Sequence, residues 1–176
     1  MKQIHNIVLF AKTASARAFT PTEKRFILDT LNDARAWPVG PWAAATSSTS
    51  APLWTVSLET SQYISRRAGP TVNGLSVTWM SSHKSWLSYE NWSSVPQPVQ
   101  GVYSLDDYRR YLILHECGHG LGLDHPDKSW ALPKSGPCPV MKQQTLGLGP
   151  YKPNVWPLRQ EIDVLAEAFH RNKRRV

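Results

Sequence analysis

His115-Glu116-Cys117-Gly118-His119-Gly120-Leu121-Gly122-Leu123-Asp124-His125 places three imidazoles, a carboxylate and a glycine turn in one short run. His115 and His119 are one helical turn apart, so on a helix both rings leave the same face. That spacing suits two corners of a zinc tetrahedron. Glu116 is angled off the ligand pair, where a carboxylate can reach a metal-bound water without coordinating the metal itself. Gly122 is suited to the left-handed conformation that ends a helix, after which the chain turns back and offers His125 as third ligand. If His125 is not that ligand, Asp124 or Asp127 stands in its place. Three protein ligands leave a fourth position for water, the arrangement of a catalytic rather than a closed structural zinc site.

The residues upstream extend the same helix. Ser104 is placed to cap it, and Asp106 and Asp107 favour the positive end of its dipole. Leu105, Tyr108, Leu112, His115 and His119 recur at helical spacing, and no proline interrupts the run. Cys117 lies half a turn from the histidines and should face away from the metal. Cys138 leads into a proline-rich loop, so the two cysteines are not expected to bridge.

The eleven-residue string, together with Pro139-Val140-Met141 downstream, resembles the metzincin clan of zinc endopeptidases. The resemblance implies that His115, His119 and His125 hold one catalytic Zn2+ and that Glu116 is the general base. It further implies that Gly122 makes the structural turn and that Met141 is the methionine of a tight turn beneath the metal. It also implies a twisted, mostly parallel sheet with an antiparallel edge strand. A wider resemblance runs over roughly residues 20–160. It rests on Arg35-Ala36-Trp37-Pro38, Tyr111 to His125, Pro139 to Leu146 and Asn154-Val155-Trp156-Pro157, and it is to an actinobacterial family of uncharacterised, secreted-type metallopeptidase domains. One departure from the clan stands out. Several metzincin groups carry a tyrosine two residues after the turn methionine, and this chain has Gln143. Either the zinc acts alone on the oxyanion or another group assists, with Tyr103, Tyr108 and Tyr151 as candidates. The short link from His125 to Met141 implies a small lower half of the cleft.

The 176 residues suffice for one domain with a proper core, read as an upper part to about residue 122 and a lower part from about 123 to 176. Eight tryptophans supply large units for packing, and some could line a cleft. A formal charge of +7 and the pairs Arg66-Arg67, Arg109-Arg110 and the Arg171–Arg174 tail admit two readings. They are a solvated surface with a basic helix end, or an affinity for nucleic acid. No nucleic-acid-binding signature supports the second. Ile7-Val8-Leu9-Phe10-Ala11 followed by Ala14-Ser15-Ala16 fits either a weak secretory signal or a first strand, which leaves localisation open. No stretch is long enough to span a membrane.

The element order reads as strand 4–11, helix 21–36 with Pro21 in its first turn and Thr20 or Thr22 capping, a Pro/Ala/Ser/Thr-rich loop over 40–52, and strands over 53–58 and 75–79. Residues 81–101 are ambiguous: Trp86 to Trp92 fits a short strand or hairpin, whereas Pro96-Gln97-Pro98 argues loop. Beyond the helix at 105–121, residues 126–156 hold six prolines and little periodicity. A last helix over 157–170 carries Leu158, Ile162, Leu165 and Phe169 on its buried stripe. The whole is an α/β (α+β) fold with about three main helices and a small irregular C-terminal subdomain.

The function expected is zinc-dependent endopeptidase activity on a peptide or protein substrate. An edge strand at 75–80, or the segment after it, would bind the substrate backbone, and Gln143 to Leu148 would select side chains. Two alternatives are a non-catalytic zinc-containing binding module and a peptidase recruited to nucleic acid by its basic surface. Glu116 argues against the first, since a structural site needs no such carboxylate. The protein is expected to be a monomer. His5, His83 and His170 lack partners at ligand spacing and read as ordinary residues.

Overall fold

A computed structural model describes residues 7–37, 46–47, 54–69, 74–126 and 133–173, with side chains from 168 onward, and those of 7, 46 and 47, left undescribed. Most of the loop expected over 40–52, the start of the first strand, Asp127, the basic tail beyond 173 and the side chain of Phe169 therefore fall outside what is described; within that expected loop, Thr46 and Ser47 pair with the first strand instead.

A five-stranded sheet organises the fold. Its strands are β1 (Ile7–Phe10), β2 (Thr46–Ser47), β3 (Trp54–Glu59), β4 (Val77–Trp79) and β5 (Lys84–Ser88), in the order β2-β1-β3-β5-β4. Every pairing is parallel except β4 against β5, which is antiparallel and leaves β4 on the sheet edge. The mostly parallel sheet with an antiparallel edge strand thus matches the expectation. Central β3 is buried along most of its length, as a parallel strand covered on both faces must be.

Five helices stand among the described residues: α1 (Pro21–Asn32), α2 (Ser61–Ala68), α3 (Tyr89–Ser93), α4 (Leu105–Gly120) and α5 (Arg159–Lys173). Thr20 and Glu23 close a full capping box at the start of α1, with Pro21 in the first turn. The expected extension of α1 to residue 36 is corrected, because the helix stops at Asn32. Asp33 turns its carboxylate onto the backbone N–H of Arg35 at 2.9 Å and onto the Arg35 guanidinium, a local turn that competes with helical bonding. The final helix starts at Arg159 rather than 157, with Leu158 just outside it donating its N–H to Glu161 at 2.7 Å. Two short helices were not read from the sequence. α2 opens at Thr60, whose hydroxyl accepts the Tyr63 N–H, and α3 opens in the same way at Ser88. Between them, β5 resolves the ambiguous stretch as a strand followed at once by a helix.

Helix α4 runs against the β4–β5 side of the sheet and contacts α1. Trp54, Val56, Leu58, Leu87, Ile113 and Leu114 fill the space between and are buried. The Trp37 indole N–H donates to the Leu114 carbonyl at 2.9 Å, and Trp92 donates to Glu23 at 2.8 Å. Buried tryptophans thus carry a satisfied polar handle as well as apolar bulk. Below α4 the chain from 133 to 158 is largely irregular, with a two-residue parallel pair, β6 (Gly136–Pro137) and β7 (Tyr151–Lys152), and a 3-10 turn at Gln144–Leu146. Among the described residues, no helix is long and apolar enough to cross a membrane.

Candidate metal centre and active site

Helix α4 begins where Ser104 accepts the Asp107 N–H at 3.1 Å and is buried almost all round from Tyr111 to Gly118. It ends in a Schellman motif: Gly122 N–H donates to the His119 carbonyl at 2.9 Å and Leu123 N–H to the Gly118 carbonyl at 3.0 Å. Gly122 takes φ of +97°, a conformation that side chains with a Cβ rarely adopt. This turn reverses the chain and delivers His125 to the face that already carries His115 and His119.

The three rings converge. The Nε2 atom of His125 lies 3.2 Å from that of His119 and 3.4 Å from that of His115. Zinc–nitrogen bonds of 2.0–2.1 Å at the tetrahedral angle place ligand nitrogens about 3.3 Å apart, so the donor set fits such an ion. The outer nitrogens are committed elsewhere. His115 Nδ1 lies 2.8 Å from the Val140 carbonyl, and His119 Nδ1 lies 2.7 Å from the Leu123 carbonyl. A carbonyl only accepts, so each Nδ1 carries the proton and each Nε2 keeps its lone pair toward the shared centre. Burial, and then the neighbouring His119 imidazole, hold His115 well below the usual histidine range, which favours the neutral, metal-binding form.

Glu116 points off the ligand pair and is 3 % exposed. Its Oε2 accepts the Thr78 hydroxyl at 2.6 Å across the gap between α4 and β4. Burial pushes its carboxyl up to about 7, against the pull of Thr78. Glu116 and His115 open together on a small cavity of ≈ 20 Å³, shared with Leu75, Ser76, Tyr111, Leu112, Gln143 and Thr145. That is room for about one water molecule. Gln143 and Thr145 come from the segment expected to select side chains.

Met141 is fully buried beneath α4. A Cβ on Gly118 would sit 2.3 Å from Met141 Sδ and 2.9 Å from Trp37 Cζ2, so helix and turn touch at a position with no side chain. Glu161 of α5 holds the turn from below, accepting the N–H groups of Val140 at 3.0 Å and Met141 at 2.7 Å. Burial raises its carboxyl to about 7 despite these bonds.

Of the phenols considered for the oxyanion, Tyr103 donates to Gln144 Oε1, Tyr108 bonds Thr145 Oγ1 at 2.8 Å and Tyr151 donates to the Pro133 carbonyl at 2.7 Å. None of the three lines the cavity. Tyr111 does, but its hydroxyl serves Lys142 and Gln144 of the turn. Cys117 and Cys138 are buried free thiols. Thr78 and Glu161 were missed from the sequence. Alternation along Leu75–Trp79 assigns Leu75, Val77 and Trp79 to the apolar face and so hides Thr78 on the polar one, whereas Glu161 stands at the third helical position, where an acid reaches back to the helix start.

A larger cleft of ≈ 430 Å³ lies between α1, the start of α4 and Trp156. Its charges are spent locally, Arg35 on Asp33, Arg110 on Asp107 and Asp29 on Arg25.

A family model described as "Protein of unknown function (DUF3152)" matches residues 17–162. No curated protein and no solved structure matches the chain.

Proposed function

The chain belongs to the DUF3152 family, and from the geometry of its histidine cluster we propose that it is a zinc-dependent endopeptidase of metzincin type. The observation that carries this reading is the convergence of His115, His119 and His125 beside a buried carboxylate that is not a member of the ligand cluster. A purely structural site would use a fourth protein ligand and would have no use for Glu116. The buried methionine below the ligand helix and the glycine turn leading to His125 support the metzincin assignment within that reading.

A zinc ion held by the three imidazoles supplies a Lewis acid that acidifies water and polarises the substrate carbonyl. Glu116 takes the proton of the attacking water and later hands it to the leaving amine. Its buried position beside the ligand cluster suits both steps, since one carboxylate can accept the water proton and return it to the amine without leaving the site. Val140 and Leu123 keep two ligand rings oriented through their carbonyls. Among the described residues β4 is unpaired on its outer side, so an extended substrate can add there as a further strand and bring its backbone past Thr78 and Glu116. Gln143 and Thr145 face the residue that follows the scissile bond, because they share the cavity with the proton donor to the leaving amine.

The test is elemental analysis of the purified protein, followed by chelation and zinc add-back during a casein digest. One zinc per chain, loss on chelation and recovery on add-back are expected. Glu116→Ala should keep the metal and lose hydrolysis by roughly 10²–10⁴-fold. Wild-type turnover in that variant, or a chain that takes up no zinc, would remove this reading.

A further inference from the structure

Thr78 joins two systems that are far apart in sequence. Its hydroxyl lies 2.6 Å from Glu116 Oε2 and 2.5 Å from Ser85 Oγ, and the Trp54 indole N–H reaches Ser85 Oγ at 2.6 Å. Trp54 and Ser85 are fully buried, and Glu116 is nearly so. Each group has a fixed hydrogen-bonding capacity. An indole N–H only donates, an ionised carboxylate only accepts, and a hydroxyl has one proton to give. With Glu116 ionised, Thr78 must spend its proton on Oε2. Ser85 then donates to Thr78, and Trp54 fills the acceptor position of Ser85. The chain therefore runs in one direction, from Trp54 through Ser85 and Thr78 to Glu116. The Glu116 carbonyl competes for Thr78 only at 3.3 Å. Among the described residues nothing hydrogen-bonds Oε1, so one carboxylate oxygen is tethered and the other is left for chemistry.

We propose that Thr78, oriented by Ser85 and Trp54, is the positioning residue of the catalytic carboxylate: it holds Oε2 so that Oε1 of Glu116 is presented to the attacking water. This rests on the peptidase reading above. It also links substrate docking to the base, because Thr78 belongs to β4, the edge strand a substrate would pair with. The Thr78 side chain touches Glu116 while, among the described residues, the outer backbone edge of the strand carries no partner.

The test compares Thr78→Val, which keeps shape and removes the hydroxyl, with Thr78→Ser, which restores it. In the zinc-loaded protein Thr78→Val should lower kcat roughly tenfold to a hundredfold, with KM and zinc content little changed, as expected for a slightly misplaced base. Thr78→Ser should recover to within about threefold of wild type, and Ser85→Ala should cause a smaller loss in the same direction. A second readout needs neither zinc nor activity. In the metal-free protein, the melting-temperature shifts of Thr78→Val and Glu116→Ala should fail to add in the double variant, because either change alone breaks the same bond. Unchanged kcat in Thr78→Val, a Thr78→Ser variant as impaired as Thr78→Val, or strictly additive shifts would each overturn the inference. Should Thr78→Val not fold, the serine and Ser85→Ala variants decide by the same kcat comparison. A zinc-loaded wild type that cleaves no protein would end the peptidase reading, while the melting cycle still decides whether Thr78 holds the carboxylate.

Discussion

The Val140 carbonyl accepts the Nδ1 proton of His115 at 2.8 Å, across 25 residues of sequence. The orientation of the His115 ring on α4 is therefore set by a turn in the irregular lower segment. That turn is in turn held by Glu161, whose carboxylate accepts the Val140 and Met141 N–H groups and also that of Leu158. A line of support runs from α5 through the methionine-bearing turn to the histidine cluster.

Glu161 gives this support a pH dependence. Burial raises its folded-state carboxyl from 4.5 to about 7, so the folded state binds the proton more tightly than the unfolded chain. Its contribution is fully present below about pH 4.5 and is lost as pH rises through about 7. Glu161→Gln should remove that component and flatten the stability slope between these values. It should also cost roughly 1–3 kcal/mol overall, because an amide cannot accept all three N–H groups. Urea denaturation of both proteins at a series of pH values checks this, and parallel slopes would count against it.

Gly118→Ala should destabilise the protein although alanine is the better helix former. The new methyl would meet Met141 Sδ at 2.3 Å and Trp37 at 2.9 Å. Overpacking of this kind costs roughly 1–3 kcal/mol, more than the propensity gain of about 1 kcal/mol. Chemical denaturation reads the sign directly. A more stable variant would mean that Met141 does not lie against the helix.

Gly122→Ala tests the turn without a clash. Nothing lies within 4 Å of a Cβ at this position, but its φ is +97°. The expected loss is about 1–2 kcal/mol from backbone strain alone. Weaker zinc retention should accompany it, since the turn delivers His125. Equilibrium dialysis against zinc, with denaturation alongside, separates the two effects.

His125→Ala should weaken zinc binding by at least a hundredfold, beyond the roughly 10–100-fold that loss of an outer-shell partner costs. The fold should persist, because the ring is only half-buried and the turn bonds of Gly122 and Leu123 are made by backbone. Metal content after extensive dialysis is the measurement. Unchanged stoichiometry would place the third ligand elsewhere, with Asp124 the nearest carboxylate in sequence.

Much of the centre was legible because its geometry is local. Two histidines one turn apart on a helix share a face whatever surrounds them. A glycine in a Schellman motif reverses the chain by backbone bonding alone. The capping residues of α1 and α4 were readable for the same reason, whereas α1 stopped early because Asp33 bonds the backbone ahead of it. The short helices α2 and α3 were not readable, since helices of eight and five residues have too little periodicity to register.

The spacing of the histidines, the turn and the presence of a carboxylate beside them were thus determined by the amino-acid order itself, through backbone rules that act over a few residues. Tertiary structure alone decided how that carboxylate is held and which carbonyl orients His115. Thr78 reaches Glu116 across 38 residues, and that bond exists only because β5 pairs parallel to β3 and turns β4 back along its free edge. Such pairings are won by burial of Trp54, Leu58 and Leu87 in a shared core, a collective term that no short stretch of chain contains.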